Sequence, residues 1–258
     1  MSEIPGVIYS PRMNIAGVEF HNVTRAETIA LMEQMISARK SHMICTPNAD
    51  HVVRIRADAE FGRIIANADL VVPDGMAVIY ASRILGTPLK QNVGGRLLLP
   101  AMAELSVYKG YRIFLLGGSN EQVARLAVEH LRKDYPGVNI VGTYTPPFMD
   151  EFIAEENERM LDAVHRAKPD VLFVCLGTPK QEKWIARNLV RLNVPVSIGI
   201  GAALDMISGR VYEPPRWVSN VGLEWLVRLL QEPKRLWRRY ILGIPIFLWL
   251  VLQQRIKS

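Results

Sequence analysis

Short runs of apolar residues alternate with longer segments of helical periodicity between residues 12 and 209. The apolar runs that predict buried strands are 42–46, 70–72, 112–116, 138–142, 171–176 and 195–200. Helical periodicity follows the capping box of Thr24 and Glu27, and it also follows Ser119 up to about residue 133. The other segments that predict helices are 50–57, 59–67, 76–85, 150–167 and 179–192. Buried strands separated by helices indicate a mainly parallel sheet covered on both faces. The pattern therefore predicts an α/β, Rossmann-like fold.

The composition is that of a folded protein from a reducing compartment. Of the 258 residues, 49% are hydrophobic and 22% are charged, which excludes an intrinsically disordered chain. Cys45 and Cys175 both lie in apolar runs and form neither a metal-binding spacing nor a disulfide framework. This use of cysteine is typical of cytosolic proteins.

All of the excess positive charge lies near the C-terminus. The net charge is +6, and residues 210–258 contain nine Lys and Arg against three Asp and Glu, so residues 1–209 are neutral overall. Four of the five tryptophans also lie after residue 210. The change in composition predicts a boundary near residue 210, between a Rossmann-like body (1–209) and a basic, Trp-rich appendage (210–258).

The appendage has the pattern of a helical segment that lies on a membrane surface. Residues 240–252 carry no charge, yet as a helix this stretch would measure only about 20 Å, less than the ~30 Å hydrocarbon core of a bilayer. Basic residues and tryptophans beside such a stretch favour a monotopic element in contact with anionic lipid. The alternative is a nucleic-acid-binding tail, which the apolar stretch disfavours, and we expect no nucleic-acid partner.

Small and polar residues follow five of the predicted strands, where ligands bind in parallel sheets. These exits are residues 46–51, 73–75, 117–119, 177–182 and 199–205. One such exit is ordinary turn chemistry, but five at one edge of a sheet predict a pocket. Asp74 is suited to general-base work in that pocket, with an Asx turn or helix cap as the alternative, and Asp205 has the same two interpretations. Gly117-Gly118-Ser119 is either an anion-binding loop or a helix cap.

Several common cofactor motifs are absent from the sequence. Residues 199–204 begin like a dinucleotide-binding fingerprint but lack its third small residue and its downstream acid, which disfavours an NAD-dependent oxidoreductase. There is no GxxxxGK[ST] loop and no Asp-x-Asp pair for a divalent metal on a diphosphate. The five histidines show no ligand spacing, and we interpret them as surface or hydrogen-bonded structural residues. We therefore expect neither a metal site nor a cofactor.

Six longer motifs occur together along most of the chain. They are TPNADHV (46–52), ADLVVPDGMAVIYASRILG (68–86), FLLGG (114–118), LGTPKQEKWIARN (176–188), GIGAALDMISG (199–209) and GLEWLVRLLQEPKRLWRRY (222–240). From about Ile15 to about Tyr240 the chain thus resembles the WecG/TagA/CpsF glycosyltransferases, which build bacterial cell-surface polymers on polyprenyl diphosphate lipids. The resemblance implies an inverting, metal-independent transfer from a UDP-sugar to a sugar on undecaprenyl diphosphate. It also implies a peripheral enzyme at the cytoplasmic face of the bacterial inner membrane.

The resemblance further implies roles for individual residues. Asp74 would be the general base for the acceptor hydroxyl, and Thr46 and Asn48 would orient sugar hydroxyls beside it. The other expected substrate contacts are Gln181 in the pocket, Gly117 and Gly118 near the diphosphate, Asp205 at the nucleotide, and Arg228, Arg235 and Arg238 closing over the site. Without an Asp-x-Asp motif, these arginines would supply the positive charge that the departing UDP needs.

One departure from the family's pattern leaves the donor sugar open. Where the family commonly carries Gly-x-Asp, this sequence has Gly95-Arg96-Leu97. The donor is therefore either of the N-acetylmannosamine type or a different sugar such as glucose. The alternative from another class is a non-catalytic, membrane-attached module that binds nucleotide sugars, which the presence of Asp74 and the arginines disfavours. A homo-oligomer is compatible with the sequence.

Overall fold

The computed structural model describes residues 11–149, 151–212, 218 and 224–257, and a parallel sheet forms its centre. An antiparallel hairpin of β1 (Arg12–Ile15) and β2 (Val18–His21) forms a separate two-stranded sheet that packs against the body. The strands of the sheet are β3 (His42–Cys45), β4 (Leu70–Val71), β5 (Ile113–Gly117), β6 (Ile140–Tyr144), β7 (Val171–Cys175) and β8 (Val196–Gly199). They pair in the order β4-β3-β8-β7-β5-β6, and each neighbouring pair is parallel.

Helices cover the sheet and continue beyond it. Those of the body are α1 (Arg25–Ala38), α2 (Ala49–Arg54), α3 (Ala59–Asn67), α4 (Met76–Ile84), α5 (Gly95–Lys109), α6 (Glu121–Asp134), α7 (Ala154–Ala167), α8 (Lys180–Leu192) and α9 (Ala203–Ile207). The C-terminal segment contains α10 (Glu224–Gln231), α11 (Pro233–Trp237), a π-helical turn (Arg238–Leu242) and α12 (Gly243–Lys257).

The apolar core lies on both faces of the sheet. Strand β5 shows this directly, because Phe114 and Leu116 belong to one buried cluster while Ile113 and Leu115 belong to the other. Side chains that alternate along a strand point to opposite faces, so both faces are covered by apolar groups. The predicted α/β, Rossmann-like fold is confirmed.

Helix α12 packs one of its faces against the body. Its side chains Phe247, Leu250 and Val251 are buried and join the same apolar cluster as Val18 of the hairpin and Val52 of α2. This burial stabilises the docked position of the helix by the hydrophobic effect. Within the described ranges, no helix is both long enough and apolar enough to cross a membrane.

Hydrogen bonds fasten the far end of α12 to the N-terminal hairpin. The amide oxygen of Gln254 accepts the backbone N–H of Ala16 at 2.6 Å, and its amide nitrogen donates to the carbonyl of Asn14 at 3.0 Å. The turn that receives it is tight, since Ala16 has a φ of 51°. The C-terminal segment is therefore tied to the body by polar as well as apolar contacts.

Candidate active site

Two adjoining pockets lie at the carboxyl edge of the parallel sheet. The first, which we call the strand-end pocket, is walled mainly by the exits of β3, β7 and β8, through Thr46, Asn48, Asp50, His51, Arg54, Gly177, Thr178, Gln181, Ile200, Gly201, Ala202, Ala203 and Met206. The second, the helix pocket, lies between the starts of α2 and α4 and the C-terminal helices, and is lined by Ala49, Gly75, Met76, Ala77, Asn92, Trp225, Tyr240, Gly243 and Ile244.

The two pockets share a polar boundary. The residues that line both are Asn48, Asp50, Asp74, Arg96 and Arg228. This boundary brings two carboxylates, two guanidinium groups and one amide together. Groups bound in the two pockets would therefore meet across it.

The backbone around Asp74 is held on three sides. The N–H of Asp74 donates to the carbonyl of Pro47 at 3.0 Å, and the N–H of Gly75 donates to the side-chain oxygen of Asn92 at 2.9 Å. The N–H of Val93 donates to the carbonyl of Pro73 at 2.8 Å. Gly75 has a φ of 88°, a conformation that other residues adopt only with strain. These contacts fix the turn that carries the carboxylate.

The carboxylate of Asp74 itself makes no hydrogen bond to another described residue. The first helical turn of α4 is preceded by Gly75 as its cap, without a side-chain capping bond. The alternative interpretation of Asp74 as a helix cap therefore has no support in the structure. The carboxylate is half-buried at the pocket boundary, where it can accept a proton or a hydrogen bond from a ligand.

Thr46 and Asn48 lie on either side of Pro47 at the β3 exit, and both already make hydrogen bonds within the protein. The Thr46 hydroxyl donates to the carbonyl of Gly199 at 3.1 Å and so ties the exits of β3 and β8 together. Asn48 caps α2: its side-chain oxygen accepts the N–H groups of Asp50 at 3.0 Å and of His51 at 3.3 Å. The amide N–H groups of Asn48 are therefore the part of this side chain that a ligand can use.

Gln181 lines the strand-end pocket, but both ends of its amide are engaged within the protein. Its oxygen accepts the N–H of Gly201 at 3.0 Å, and its nitrogen donates to Glu182 at 2.7 Å. Gly199 leaves room for it, because a Cβ at that position would come within 2.7 Å of the amide nitrogen. In the structure Gln181 supports the wall of the pocket between β7 and β8.

Positive charge at the pocket boundary comes from Arg228 and Arg96, and the exposed Arg54 adds a third guanidinium group to the lining of the strand-end pocket. Arg228 is half-buried, and its Nε is shielded from solvent and makes no hydrogen bond within the described part of the chain. Arg54 donates to the Asp50 carboxylate at 2.7 Å. The site therefore carries more guanidinium groups than carboxylates, which suits an anionic ligand.

The two cysteines do not supply a nucleophile. Burial, with a smaller effect from the negative charge of Glu182, raises the pKa of the Cys45 thiol well above its usual value. Burial likewise raises the pKa of Cys175. Only the thiolate is strongly nucleophilic, so both side chains are inert packing groups at neutral pH.

The model of one protein family matches nearly the whole chain. The family is described as "Glycosyl transferase WecG/TagA/CpsF family", and the match covers residues 13–258. The chain belongs to this family. The resemblance seen in the sequence motifs is thereby confirmed.

Related proteins carry a specific activity in their names. A protein of Bacillus spizizenii is 29% identical over 223 residues, 86% of this chain and 83% of the relative. One from Bacillus subtilis is 29% identical over 224 residues (87% and 84%), and one from Staphylococcus aureus strain MW2 is 27% identical over 248 residues (95% and 94%). Each is named N-acetylglucosaminyldiphosphoundecaprenol N-acetyl-beta-D-mannosaminyltransferase.

Five of the family-implied residues are part of the described pocket linings, and three are not. Thr46, Asn48, Asp74, Gln181 and Arg228 all line the described pockets. The other group, which lines neither pocket as described, is Gly117, Gly118 and Asp205. The side chains of two further predicted residues, Arg235 and Arg238, lie outside the described residues.

Local geometry explains the glycines at the β5 exit. Both have positive φ angles, 105° at Gly117 and 99° at Gly118, and a Cβ on Gly117 would overlap the carbonyl of Cys175. The N–H of Gly118 donates to that carbonyl at 3.0 Å. Close packing of β5 on β7 thus accounts for Gly117, and the left-handed backbone conformation accounts for Gly118. The following helix is capped by Asn120, not by Ser119.

Asp205 is engaged by two neighbours. It accepts a hydrogen bond from Ser119 and one from Arg210 at 2.5 Å. The carboxylate is buried, and this pairing compensates the cost of removing its charge from water. Its predicted contact with the nucleotide stays a prediction.

Several residues that line the site are not among those predicted from the sequence. His51 and Arg54 follow the predicted Asn48 at intervals of three residues, and that spacing places all three on one side of a helix that begins at a strand exit. This spacing could have identified them from the sequence. No such pattern identifies Arg96 and Asn92, because they lie around the start of α5, a helix that the apolar pattern does not predict.

Proposed function

We propose that this chain is an inverting glycosyltransferase that moves a sugar from a UDP-sugar to a sugar carried on undecaprenyl diphosphate. The observation that carries the proposal is the position of Asp74 at the boundary of two adjoining pockets, in a chain of this family. The relatives are named for the transfer of N-acetylmannosamine to such a lipid-linked acceptor. A transferase needs two substrate sites that meet at one reacting pair of atoms, and this boundary is suited to that task.

The chemistry of the two pockets favours one assignment of substrates. The strand-end pocket is rich in polar groups and lies where nucleotides bind in parallel α/β sheets. The helix pocket is walled by Met76, Trp225, Tyr240 and Ile244, and aromatic rings are good partners for the faces of sugars. The donor would thus occupy the strand-end pocket and the acceptor sugar the helix pocket.

In this arrangement Asp74 is the general base. As the acceptor hydroxyl attacks the anomeric carbon, the new carbon–oxygen bond forms while the bond to the UDP oxygen breaks. Asp74 takes the hydroxyl proton, and attack from the side opposite to UDP inverts the anomeric centre. Thr46 and Asn48 stand beside this carboxylate and orient sugar oxygens.

The charge that develops on UDP needs fixed cations. Arg228 at the boundary and Arg54 in the strand-end pocket are placed to supply them, and a guanidinium binds phosphate oxygens bidentately. The sequence contains no Asp-x-Asp motif for a metal clamp. We therefore propose a metal-independent transfer, in which Arg235 and Arg238 add to the same positive field.

The C-terminal helix suggests how the enzyme reaches a lipid-linked acceptor. While one face of α12 is buried, the other exposes Ile246, Trp249, Leu252 and Ile256, the last with 84% of its surface accessible. The adjacent α4 adds exposed apolar residues, and the C-terminal end of α12 is basic. Such a surface favours peripheral attachment to an anionic membrane, which we propose to be the cytoplasmic face of the inner membrane.

The direct test is transfer by the purified full-length protein. Radiolabelled UDP-N-acetylmannosamine, UDP-N-acetylglucosamine and UDP-glucose are each incubated with a short-chain polyprenyl diphosphate N-acetylglucosamine, with and without EDTA. We expect one donor to give a labelled lipid product with inverted anomeric configuration, and EDTA to leave the rate nearly unchanged. Absence of transfer from every hexose donor would contradict the proposed function, and loss of transfer with EDTA that Mn²⁺ restores would contradict the metal-independent step.

A further inference from the structure

His51 is buried at the wall of the strand-end pocket and contacts the amide of Asn48. Its Nδ1 lies 2.9 Å from the side-chain oxygen of Asn48. That oxygen also accepts the backbone N–H groups of Asp50 and His51, so its identity as the acceptor end of the amide is fixed by two donors. The backbone N–H of Asn48 also faces Nδ1, over 3.4 Å. The contact with the amide oxygen is the shorter of the two and needs a donor opposite that oxygen, so we assign a proton to Nδ1.

The other side of the imidazole is also held. Its Nε2 lies 2.9 Å from the hydroxyl of Thr178, and the ring packs against Phe61 with the centroids 5.7 Å apart. The carboxylate of Glu182 lies 3.6 Å from Nε2 and also accepts the amide of Gln181. The orientation of the imidazole is thus set by contacts with both α3 and the β7 exit.

We propose that His51 is a positioning residue, which locks the Asn48 amide with its N–H groups directed to the substrate. Without the Nδ1 donor, the two backbone N–H groups of α2 alone would hold the amide oxygen, and the amide plane would be less firmly oriented. A sugar or phosphate oxygen would then meet a poorly placed N–H donor, and binding of that oxygen would weaken. This proposal rests on the proposed function only for its activity readout.

The contacts also connect three separate strand exits. From Asn48 after β3, they run through His51 to Thr178 and Glu182 after β7, and on through Gln181 to Gly201 after β8. Low-dielectric surroundings strengthen the hydrogen bonds of such a network. Within it, the imidazole joins the β3 exit to the β7 exit.

Two substitutions separate the two sides of the ring. In His51→Asn, the side-chain amide nitrogen takes the place of Nδ1 and keeps the donor to Asn48. In His51→Gln, the amide reaches the place of Nε2 and the donor to Asn48 is lost. We expect His51→Gln to lower kcat/KM by about 10²-fold, the size expected for a misplaced contact group. His51→Asn should retain most of the wild-type kcat/KM. Equal losses in both variants would contradict the proposal.

A double-mutant cycle shows whether His51 acts through Asn48. Asn48→Ser keeps an oxygen that caps α2 but has no amide N–H to orient. If the role of His51 is to orient that amide, His51→Gln should cost no more than about two-fold in the Asn48→Ser background. If His51 has only a general packing role, the two substitutions would lower kcat/KM independently and their effects would multiply. That result would overturn the proposal. Urea unfolding of all four proteins identifies a variant whose loss comes from instability.

A spectroscopic measurement tests the proton position without any activity. In the ¹⁵N-labelled wild-type protein, the imidazole signals of His51 are assigned by their absence in His51→Asn. We expect Nδ1 to be protonated at pH 7.5, and an unprotonated Nδ1 would overturn the proposal even in an active enzyme. If instead the wild type transfers no sugar but Nδ1 is protonated, the proposed function fails and the positioning of Asn48 stands.

Discussion

The α-carbon of Gly94 lies directly against the carboxylate of Asp74, so that a methyl group at residue 94 would overlap the carboxylate oxygen. Gly94 has a φ of −61°, which any residue can adopt. A glycine is needed here for space and not for backbone freedom. The pair defines how deeply Asp74 can sit at the boundary of the two pockets.

Gly94→Ala should therefore displace Asp74 without straining the backbone. We expect kcat to fall by about 10²-fold, because a shift of about 1 Å in a catalytic group has effects of this size. Steady-state kinetics with the best UDP-sugar measures this. The control is Gly62→Ala in α3, where a Cβ meets only ordinary contacts, at 3.6 Å from Ile55. Unchanged kinetics in Gly94→Ala would show that Asp74 does not need its present position.

Asp74→Asn removes the proposed base and keeps the size of the side chain. Turnover should fall by roughly 10²–10⁴-fold, the usual range for general-base catalysis. Binding of UDP, measured by calorimetry, should change little because the donor diphosphate is held by arginines. A variant that turns over within a few-fold of wild type would leave Asp74 as a turn residue only.

Arg228→Ala should reduce turnover while leaving membrane attachment intact. Loss of one cation that faces the departing diphosphate is expected to cost about 10²–10³-fold in kcat. Lys234→Ala is the matched control, since Lys234 is an exposed cation in the same segment. Turnover and liposome co-sedimentation are measured on both variants. Normal turnover in Arg228→Ala would remove this residue from the mechanism.

The exposed face of α12 can be tested without uncovering the core. Trp249→Glu combined with Leu252→Glu places two acids on the outer face and leaves the buried face unchanged. We expect release from anionic liposomes, because each added acid is repelled by the surface that it faces. Val190→Glu, at a residue of α8 that is 88% exposed, is the control for added charge. Retention of the double variant on liposomes would contradict attachment through this face.

His21 should make stability depend on pH. Burial and the neighbouring Arg12 lower the pKa of His21 from 6.5 to about 4. As the pH falls below 6.5, the unfolded chain binds this proton and the folded protein does not, so stability is lost progressively down to about pH 4. The loss is at most about 3 kcal/mol. The free energy of unfolding is measured with urea between pH 7.5 and 5, and it should fall less steeply with decreasing pH in His21→Gln than in the wild type. Equal pH dependence in the two proteins would contradict this role of His21.

Much of the sheet is predictable because its strands are buried on both faces. Continuous apolar runs such as 171–176 and 195–200 coincide with β7 and β8 to within a residue at each end. The edge strand β6 is less well predicted, and it begins at Ile140 instead of residue 138. Only one neighbour pairs with an edge strand, and several of its residues are half-exposed, so its apolar pattern is weaker.

Elements that break local rules are not predictable in this way. Helix α5 contains Pro100 and begins at Gly95, two residues that disfavour a helix, and its burial against the sheet outweighs them. The hairpin of β1 and β2 turns through Ala16 and Gly17, both at positive φ, and only the second of them is a residue type that signals such a turn.

Some residues of the candidate site are predictable from the sequence and others are not, for a similar physical reason. Residues directly after strands, such as Asp74 and Thr46, are predictable from topology, since parallel strands deliver their ends to one edge. Whether a side chain is already bonded within the protein is a matter of three-dimensional contacts. The engaged amide of Gln181 and the imidazole of His51 against Asn48 are examples that spacing alone does not reveal.

The bonds of Gln254 to the first hairpin join residues 238 and 240 positions apart in the chain. Synthesis on the ribosome makes the hairpin first and its partner helix last. The apolar surface that Phe247 covers is therefore open until α12 has been synthesised. We expect chains that are truncated before α12 to expose this surface and to aggregate or be degraded.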